Sequence, residues 1–315
     1  MYRYSQYGRR IINPNVSAAP LFLSDHMVIS CNELGKSGRL GNALFQYAAS
    51  YSLAKKNNCE FVIDSDLFNI QMHGQKCSLY YFKISSPLGK DLKATKSFRE
   101  RHFIGYDPLI LTCDNDVNLQ GWFQSELYFK EYKDDIMQEF ELQDDIEDYA
   151  KKYISSMKAQ LNCDIIIGVH MRRGDDVENE RIYAPKNDIT PDSWLYRYLE
   201  SAFSYFNEPA IFLVFTGGSH TNDNQDDTNW CRRNVKKTNV VFSENESFIH
   251  DFAILSHCDH IILNSHSTFG WWASYINYYN NPCKIIVPTG YYIREIPCDW
   301  STYWPEEFIK INIAV

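Results

Sequence analysis

The residues best suited to chemistry follow an apolar run in mid-chain, in the segment GVHMRRGDD. Strand alternation places His170 and Arg172 on one face, with Arg173 on the opposite face or in the turn. Arginine stays ionised and offers a fixed fork of donors, which suits an anionic diphosphate. The alternative is a structural ion-pair cluster in which the arginines bind Asp175 and Asp176.

A second candidate segment is NSHSTFGWWASYI, where a predicted strand ends and a helix begins. Ser267 or Thr268 would cap this helix and leave its free amides, with their positive dipole, facing a ligand. Helix capping alone would also explain both hydroxyls. Trp271 and Trp272 are typical of core packing. Upstream, Asp251 could accept a hydrogen bond from a base or ribose, or be an ordinary solvated acid.

A third segment, GRLGN, is a glycine loop that precedes a predicted helix. Gly38 and Gly41 allow positive φ or close approach of a ligand, and Arg39 and Asn42 supply donors. The segment matches neither of the common phosphate-binding glycine motifs. The aspartate triplets DSD and DND are weak metal motifs, so no metal site is predicted.

The elements that must position these residues alternate between strand and helix. A strand, the glycine loop and a helix ending near Asn57 open the pattern, and strands and helices alternate again from residue 163 onward. Between them, residues 126–158 predict an acidic amphipathic helical stretch. This order is typical of an α/β fold with mainly parallel sheets, in which ligands lie beyond the carboxyl ends of the strands.

Composition bounds the class of protein. The chain has 315 residues, 44% of them hydrophobic, and 31 basic against 40 acidic residues give a net charge of -9. This charge argues against a nucleic-acid partner. The sequence contains no apolar run long enough for a signal peptide or a transmembrane segment, so we expect a soluble chain. We expect three parts: an extended arm (1–26), an N-terminal domain (27–160) and a C-terminal domain (161–315).

Five blocks in order resemble the inverting α-1,2-fucosyltransferases of glycosyltransferase family 11. They are GRLGNALFQYAA, GWFQSELYF, HMRRGD, CDHIILNSHSTFGWWASYIN and YWPEEFIKI. The resemblance implies a GT-B arrangement of two Rossmann-like domains. The N-terminal domain would face the acceptor, the C-terminal domain would hold GDP-L-fucose as donor, and no metal or further cofactor would be required.

The resemblance also implies roles for individual residues. Arg172 would stabilise charge on the departing diphosphate, and Glu180 would be the general base, with Asp175 as the alternative. His170 and Asp251 would contact guanine or ribose. The residues that would bind GDP-fucose are Arg39, Gly41, Asn42, His170, Arg173, Asp251, Ser267, Thr268 and Phe269.

The activity implied is transfer of L-fucose to a galactoside hydroxyl in α-1,2 linkage, with an oligosaccharide or glycan as acceptor. One alternative is another acceptor, such as a protein or a different glycan, because a polar insertion at 220–229 departs from the family pattern. The other is a nucleotide-sugar or glycan-binding protein without turnover. We expect a cytoplasmic location, or a Golgi-type one if the sequence belongs to a longer chain.

Overall fold

Strands and helices alternate along most of the chain in this computed structural model. The residues that it describes are 28–36, 38–69, 71–72, 75–90, 94–174, 191, 193–217, 225–244, 246–290 and 298–313. The predicted N-terminal arm, 1–26, lies outside them. None of the helices in these ranges is both long and apolar enough to cross a membrane.

Most strands of the described residues are short, whereas several helices exceed three turns. In chain order, the strands are β1 (Val28–Ser30), β2 (Glu60–Phe61), β3 (Ile63–Asp64), β4 (Gln71–Met72), β5 (Gln75–Lys76), β6 (Leu88–Gly89), β7 (Lys96–Arg99), β8 (Val117–Gln120), β9 (Ile166–Arg172), β10 (Ile211–Gly217), β11 (Val240–Phe242), β12 (His260–Leu263), β13 (Ile285–Thr289) and β14 (Ile309–Asn312). The α-helices are α1 (Leu40–Lys56), α2 (Lys133–Glu139), α3 (Asp144–Leu161), α4 (Trp194–Phe203), α5 (Gln225–Asn234), α6 (Phe248–Leu255) and α7 (Thr268–Asn280).

The first half of the chain forms a short parallel sheet in the order β2-β1-β8-β7. Helix α1 follows β1 and ends at Asn57, as the sequence predicts. Two smaller ribbons, β3-β6 and β4-β5, complete the strands of this half. The carboxyl ends of β1 and β8 therefore lie side by side at one edge of the sheet.

The second half forms a six-stranded sheet in the order β11-β10-β9-β12-β13-β14, with every pair parallel. This is the strand order of a Rossmann-type sheet, and its direction of winding reverses between β9 and β12. The α/β class with mainly parallel sheets is confirmed, and two such sheets match the GT-B arrangement. Ligands of these sheets bind at the carboxyl edge of the reversal point.

The predicted helical stretch at 126–158 differs in detail from the structure. The stretch 126–158 is not one helix, because α2 and α3 are separated at residues 140–143. Leu142 leaves the helix to form a β-bridge with Phe82, and the Gln143 amide donates to the Tyr81 carbonyl oxygen, so tertiary pairing overrides local helix propensity. The polar insertion is helical over its second half, where it begins α5.

Helices α1 and α7 join the two halves through an aromatic core. The ring centroid of Phe45 lies 4.6 Å from that of Trp271 and 5.0 Å from that of Trp272. Both tryptophans are fully buried, as the sequence predicts. At the start of the two helices, a Cβ atom added at Gly41 would lie 2.5 Å from the Thr268 carbonyl oxygen. The absence of a side chain at position 41 therefore permits the helices to meet.

Replacing Gly41 with alanine tests this contact. The added methyl group would meet backbone, which cannot move as a flexible side chain can, so Gly41→Ala is expected to lower the free energy of unfolding by ~1–3 kcal/mol. Urea denaturation measures the loss. The control Ser155→Ala, at an exposed position of α3, should not reduce stability. Unchanged stability in Gly41→Ala would contradict the close approach.

Candidate active site

The buried imidazole of His170 lies at the point where the winding of the large sheet reverses. His170 is on β9, directly opposite Leu263 of β12, and its side chain is 7% exposed. Its ring stacks on Phe269 of α7, with centroids 5.5 Å apart and planes at 23°. A Cβ atom added at Gly270 would lie 3.0 Å from His170 Nδ1, so this glycine makes room for the ring.

The environment keeps His170 neutral. Burial, together with the nearby positive charge of Arg172, lowers the pKa of His170 from 6.5 to about 3. Its Nδ1 atom has no hydrogen-bond partner within the described residues. A neutral imidazole has one donor and one acceptor nitrogen, so His170 can offer a hydrogen bond to a neutral polar ligand group.

Arg172 is held by its backbone to the turn that follows β12. The backbone amide of Arg172 donates to Asn264 Oδ1 at 2.7 Å, and the backbone amide of Asn264 donates to the His170 carbonyl oxygen at 3.2 Å. The buried Asn264 Nδ2 and Ser265 Oγ have no partners in the described part of the chain. Unpaired buried polar groups are costly, so these atoms are candidates for ligand contact. Sequence reasoning missed Asn264, although it lies at a strand end and within the CDHIILNSHSTFGWWASYIN block.

The first turn of α7 points its free amides at the same edge. Ser267 is the N-cap, and its hydroxyl oxygen accepts from the Gly270 amide at 3.5 Å. Of the two predicted capping residues, Ser267 takes this role and Thr268 begins the helix. Helix starts attract anions through their unpaired N–H groups and dipole. A positive backbone terminus therefore lies beside His170 and Arg172.

The glycine loop reaches this helix start from the small sheet. Arg39 precedes α1, two residues before the contact of Gly41 with Thr268. Asn42 Oδ1 accepts from Gln124 Nε2 at 3.5 Å, which links the loop to the segment after β8. The structure thus brings Arg39, Gly41 and Asn42 next to the start of α7. Sequence reasoning did not identify Gln124, although the GWFQSELYF block contains it.

Glu100 organises the turn that carries Gln124. Its Oε2 accepts from the amides of Trp122 and Phe123 at 2.7 and 2.8 Å, and its Oε1 accepts from the Tyr128 hydroxyl at 2.7 Å. Phe123 has a positive φ of 54°, a conformation that needs such support. Burial raises the pKa of Glu100 to about 7. Glu100 therefore stabilises the conformation of the turn that carries Gln124.

Asp251 lies at the same edge, farther along the large sheet. It is on α6, and its Oδ1 accepts from the Ser243 hydroxyl, just after β11, at 2.5 Å. Burial raises its pKa to about 6, and the bond from Ser243 opposes this rise. Phe252, the next residue, packs edge-on against Phe269 with centroids 5.3 Å apart. The rings of Phe252 and Phe269 therefore link the residue next to Asp251 with His170.

Arg173 is the first residue after β9, and its side chain lies on the side opposite His170, among residues of α5. It is 5% exposed, and its Nε donates to Asp227 Oδ1 on α5 at 3.1 Å. Asp175 and Asp176, the partners considered from the sequence, lie outside the described residues. The contact of Arg173 with a diphosphate stays a prediction. Asp175 and Glu180 lie outside the described residues, and their catalytic roles also stay predictions.

The aspartate triplets lie in ion pairs at the surface. Asp64 Oδ2 is 3.4 Å from Lys36 Nζ, and Asp114 Oδ2 is 3.0 Å from Lys96 Nζ. In the part of the chain that the structure describes, no three His, Cys, Asp or Glu side chains are grouped as metal ligands.

Comparison with known proteins decides the family. A model of glycosyl transferase family 11 matches residues 13–295. The chain belongs to glycosyltransferase family 11.

Several curated proteins are similar to this family 11 chain. Galactoside α-(1,2)-fucosyltransferase 2 of Oryctolagus cuniculus is 28% identical over 259 residues, which are 76% of this chain and 65% of that protein. The Bos taurus protein of the same name is 29% identical over 256 residues, with coverage of 76% and 67%. Galactoside 2-α-L-fucosyltransferase SEC1 of Bos taurus is 26% identical over 283 residues, with coverage of 82% and 70%. The chain spans about two thirds of the length of these relatives.

Solved structures of fucosyltransferases are also similar to the family 11 chain. Fucosyltransferase NodZ from Bradyrhizobium aligns with a TM-score of 0.45 and 15% identity, over 79% of this chain and 92% of that one. POFUT1 in complex with GDP aligns with a TM-score of 0.47 and 14% identity, over 83% and 98%.

The neutral state of His170 predicts a pH dependence of stability. The pKa of His170 is lower in the folded than in the unfolded chain. Its contribution to the free energy of unfolding is therefore complete above pH 6.5 and is lost as the pH falls toward 3. Between pH 7 and pH 5 this loss is about 2 kcal/mol. The stability difference between wild type and His170→Gln, from urea denaturation, should shrink by that amount at pH 5.

A buried neighbour that does not titrate provides the control. Val169→Ala leaves a cavity on the other face of β9, so its cost should be the same at both pH values. A His170→Gln cost that is also the same at both values would show that His170 does not keep a lowered pKa.

Proposed function

We propose that this protein transfers L-fucose from GDP-L-fucose to a galactoside hydroxyl in α-1,2 linkage. The observation that carries the proposal is the meeting of His170, Arg172 and the first turn of α7 where the winding of the large sheet reverses. Family membership supports the reaction class. The names of the curated relatives, all galactoside α-1,2-fucosyltransferases or a galactoside 2-α-L-fucosyltransferase, support the acceptor and the linkage.

The donor would lie along the carboxyl edge of the large sheet. Guanine or ribose would contact Asp251 and His170. The carboxylate of Asp251 can accept hydrogen bonds from their N–H or O–H groups, and neutral His170 places no charge next to these uncharged groups. The diphosphate would then reach Arg172 and the amides of Ser267, Thr268 and Phe269. The fucose would face Arg39, Gly41 and Asn42 at the start of α1. No metal takes part in this arrangement.

The reaction would be a single displacement that inverts the anomeric carbon. The bond between fucose C1 and the β-phosphate oxygen breaks, and its electron pair leaves with GDP. The acceptor hydroxyl oxygen forms the new bond to C1 and passes its proton to a carboxylate, which we assign to Glu180 with Asp175 as the alternative. Arg172 would stabilise the charge that grows on the diphosphate, since fixed donors act most strongly where charge develops.

Replacing Arg172 tests the proposal. With labelled GDP-fucose and a lactose-type acceptor, wild type should form a fucosylated product, and Arg172→Ala should lower kcat/KM on the order of 100-fold or more. Lysine keeps the charge but not the planar fork, so Arg172→Lys should recover only part of the loss.

An arginine of the small sheet serves as the matched control. Arg99 is exposed on β7 and donates to Gln120 Oε1 at 2.9 Å, so Arg99→Ala should keep wild-type activity. Full activity in Arg172→Ala would exclude the role given to Arg172.

The acceptor is tested separately with a glycan and peptide array. Transfer to galactosides, with loss of product after α-1,2-specific fucosidase treatment, would support the proposed linkage. Transfer only to a peptide or another glycan would replace the acceptor while keeping the donor chemistry. Calorimetry that shows GDP binding without any transfer would favour a binding protein. The cytoplasmic location, with a Golgi-type one as the alternative, stays a prediction.

A further inference from the structure

The turn that follows β9 is fixed by a buried cluster on the face opposite His170. The Arg173 guanidinium carbon lies 3.8 Å from the centre of the Trp230 ring, and Arg173 Nε donates to Asp227 Oδ1 at 3.1 Å. Arg173, Asp227 and Trp230 are 5%, 8% and 5% exposed. Stacking on the indole and pairing with the carboxylate offset part of the cost of burying this guanidinium. We call these three residues the arginine brace.

The carboxylate of the brace also binds backbone. Asp227 Oδ2 accepts from the Gly174 amide at 2.9 Å, while its other oxygen holds Arg173. Gly174 has a φ of 53°, in the left-handed region that glycine adopts readily. One side chain of α5 therefore fixes both residues that follow Arg172.

Arg172 is thereby held from two sides. Asn264 Oδ1 binds its amide at 2.7 Å, and Asp227 fixes the chain that leaves it. Alternation places the Arg172 side chain on the His170 face and the Arg173 side chain on the brace face. The two adjacent arginines are thus used in different environments, the first intermediate in exposure and the second buried.

We infer that Arg173, Asp227 and Trp230 are positioning residues that hold Arg172 for the diphosphate, and that Arg173 is not itself a diphosphate ligand. The inference rests on the proposed function, because it takes Arg172 as the ligand of the β-phosphate. A donor that is fixed before the ligand arrives loses less side-chain entropy on binding, which strengthens its contact. The brace supplies this order from residues that the ligand does not touch.

The test compares GDP with GMP, which lacks the β-phosphate, by isothermal titration calorimetry. Loss of the brace should weaken GDP binding on the order of tenfold, while GMP binding stays within about twofold. A purely structural defect would weaken both nucleotides together. The ratio of the two dissociation constants therefore separates positioning of Arg172 from general damage.

Two variants keep the test independent of folding. Asp227→Asn keeps the shape but removes the charge, and it leaves Arg173 buried without its partner. The double variant Arg173→Met with Asp227→Leu removes both charges. Proteins commonly tolerate the replacement of a buried ion pair by apolar residues of similar size. Both variants should lose the preference for GDP over GMP. Trp230→Phe keeps an aromatic face for Arg173 and should retain it.

Asp107→Asn provides the matched control. Asp107 is a buried acid paired with Arg101 at 2.6 Å beyond the small sheet, so its loss should lower stability without changing the GDP to GMP ratio. A wild-type ratio in both folded brace variants would overturn the inference. So would loss of the preference for GDP in the double variant with its retention in Asp227→Asn, because Arg173 would then be a ligand. A wild-type protein that binds neither nucleotide would instead refute the proposed function, and the brace with it.

Discussion

The backbone of Thr268 leaves no space for a side chain at position 41, and most of the candidate site depends on this contact. This contact lets α1, which follows a strand of the small sheet, and α7, which follows a strand of the large sheet, begin next to each other. The loop after β1 and the turn after β12 are thereby brought together. Behind the contact, Phe45 packs on Trp271 and Trp272, so a rigid aromatic core supports the junction. The aromatic content of the chain, 15%, is used largely for such packing.

This junction also determines the electrostatics of the site. His170 is shielded from water by Phe269 and loses its positive charge, whereas Arg172 keeps its own. A chain with a net charge of -9 can therefore present a local positive site made from one guanidinium and one helix start. Such groups act more strongly where they are partly shielded from water than in bulk water, so few of them are needed. The acidic composition and an anionic donor are compatible for this reason.

Local patterns in the sequence predicted much of the fold. The apolar run that ends in charge forms β9, α1 ends next to the predicted Asn57, and Ser267, one of the two capping candidates, caps α7. The Asp227 partner of Arg173 could not be predicted, because 54 residues separate the pair and no local pattern connects them. The break between α2 and α3 depends on a bridge from Leu142 to Phe82, 60 residues earlier in the chain. Long-range partners, unlike strands and caps, leave no periodic signal.

In the proposed site, the diphosphate binds between the end of β9 and the start of α7. A crystal structure of the protein with bound GDP tests this placement most directly. We expect the β-phosphate within hydrogen-bonding distance of the Arg172 guanidinium and of an amide in the first turn of α7, with Arg173 still bound to Asp227. A diphosphate that contacts neither β9 nor α7 would contradict it.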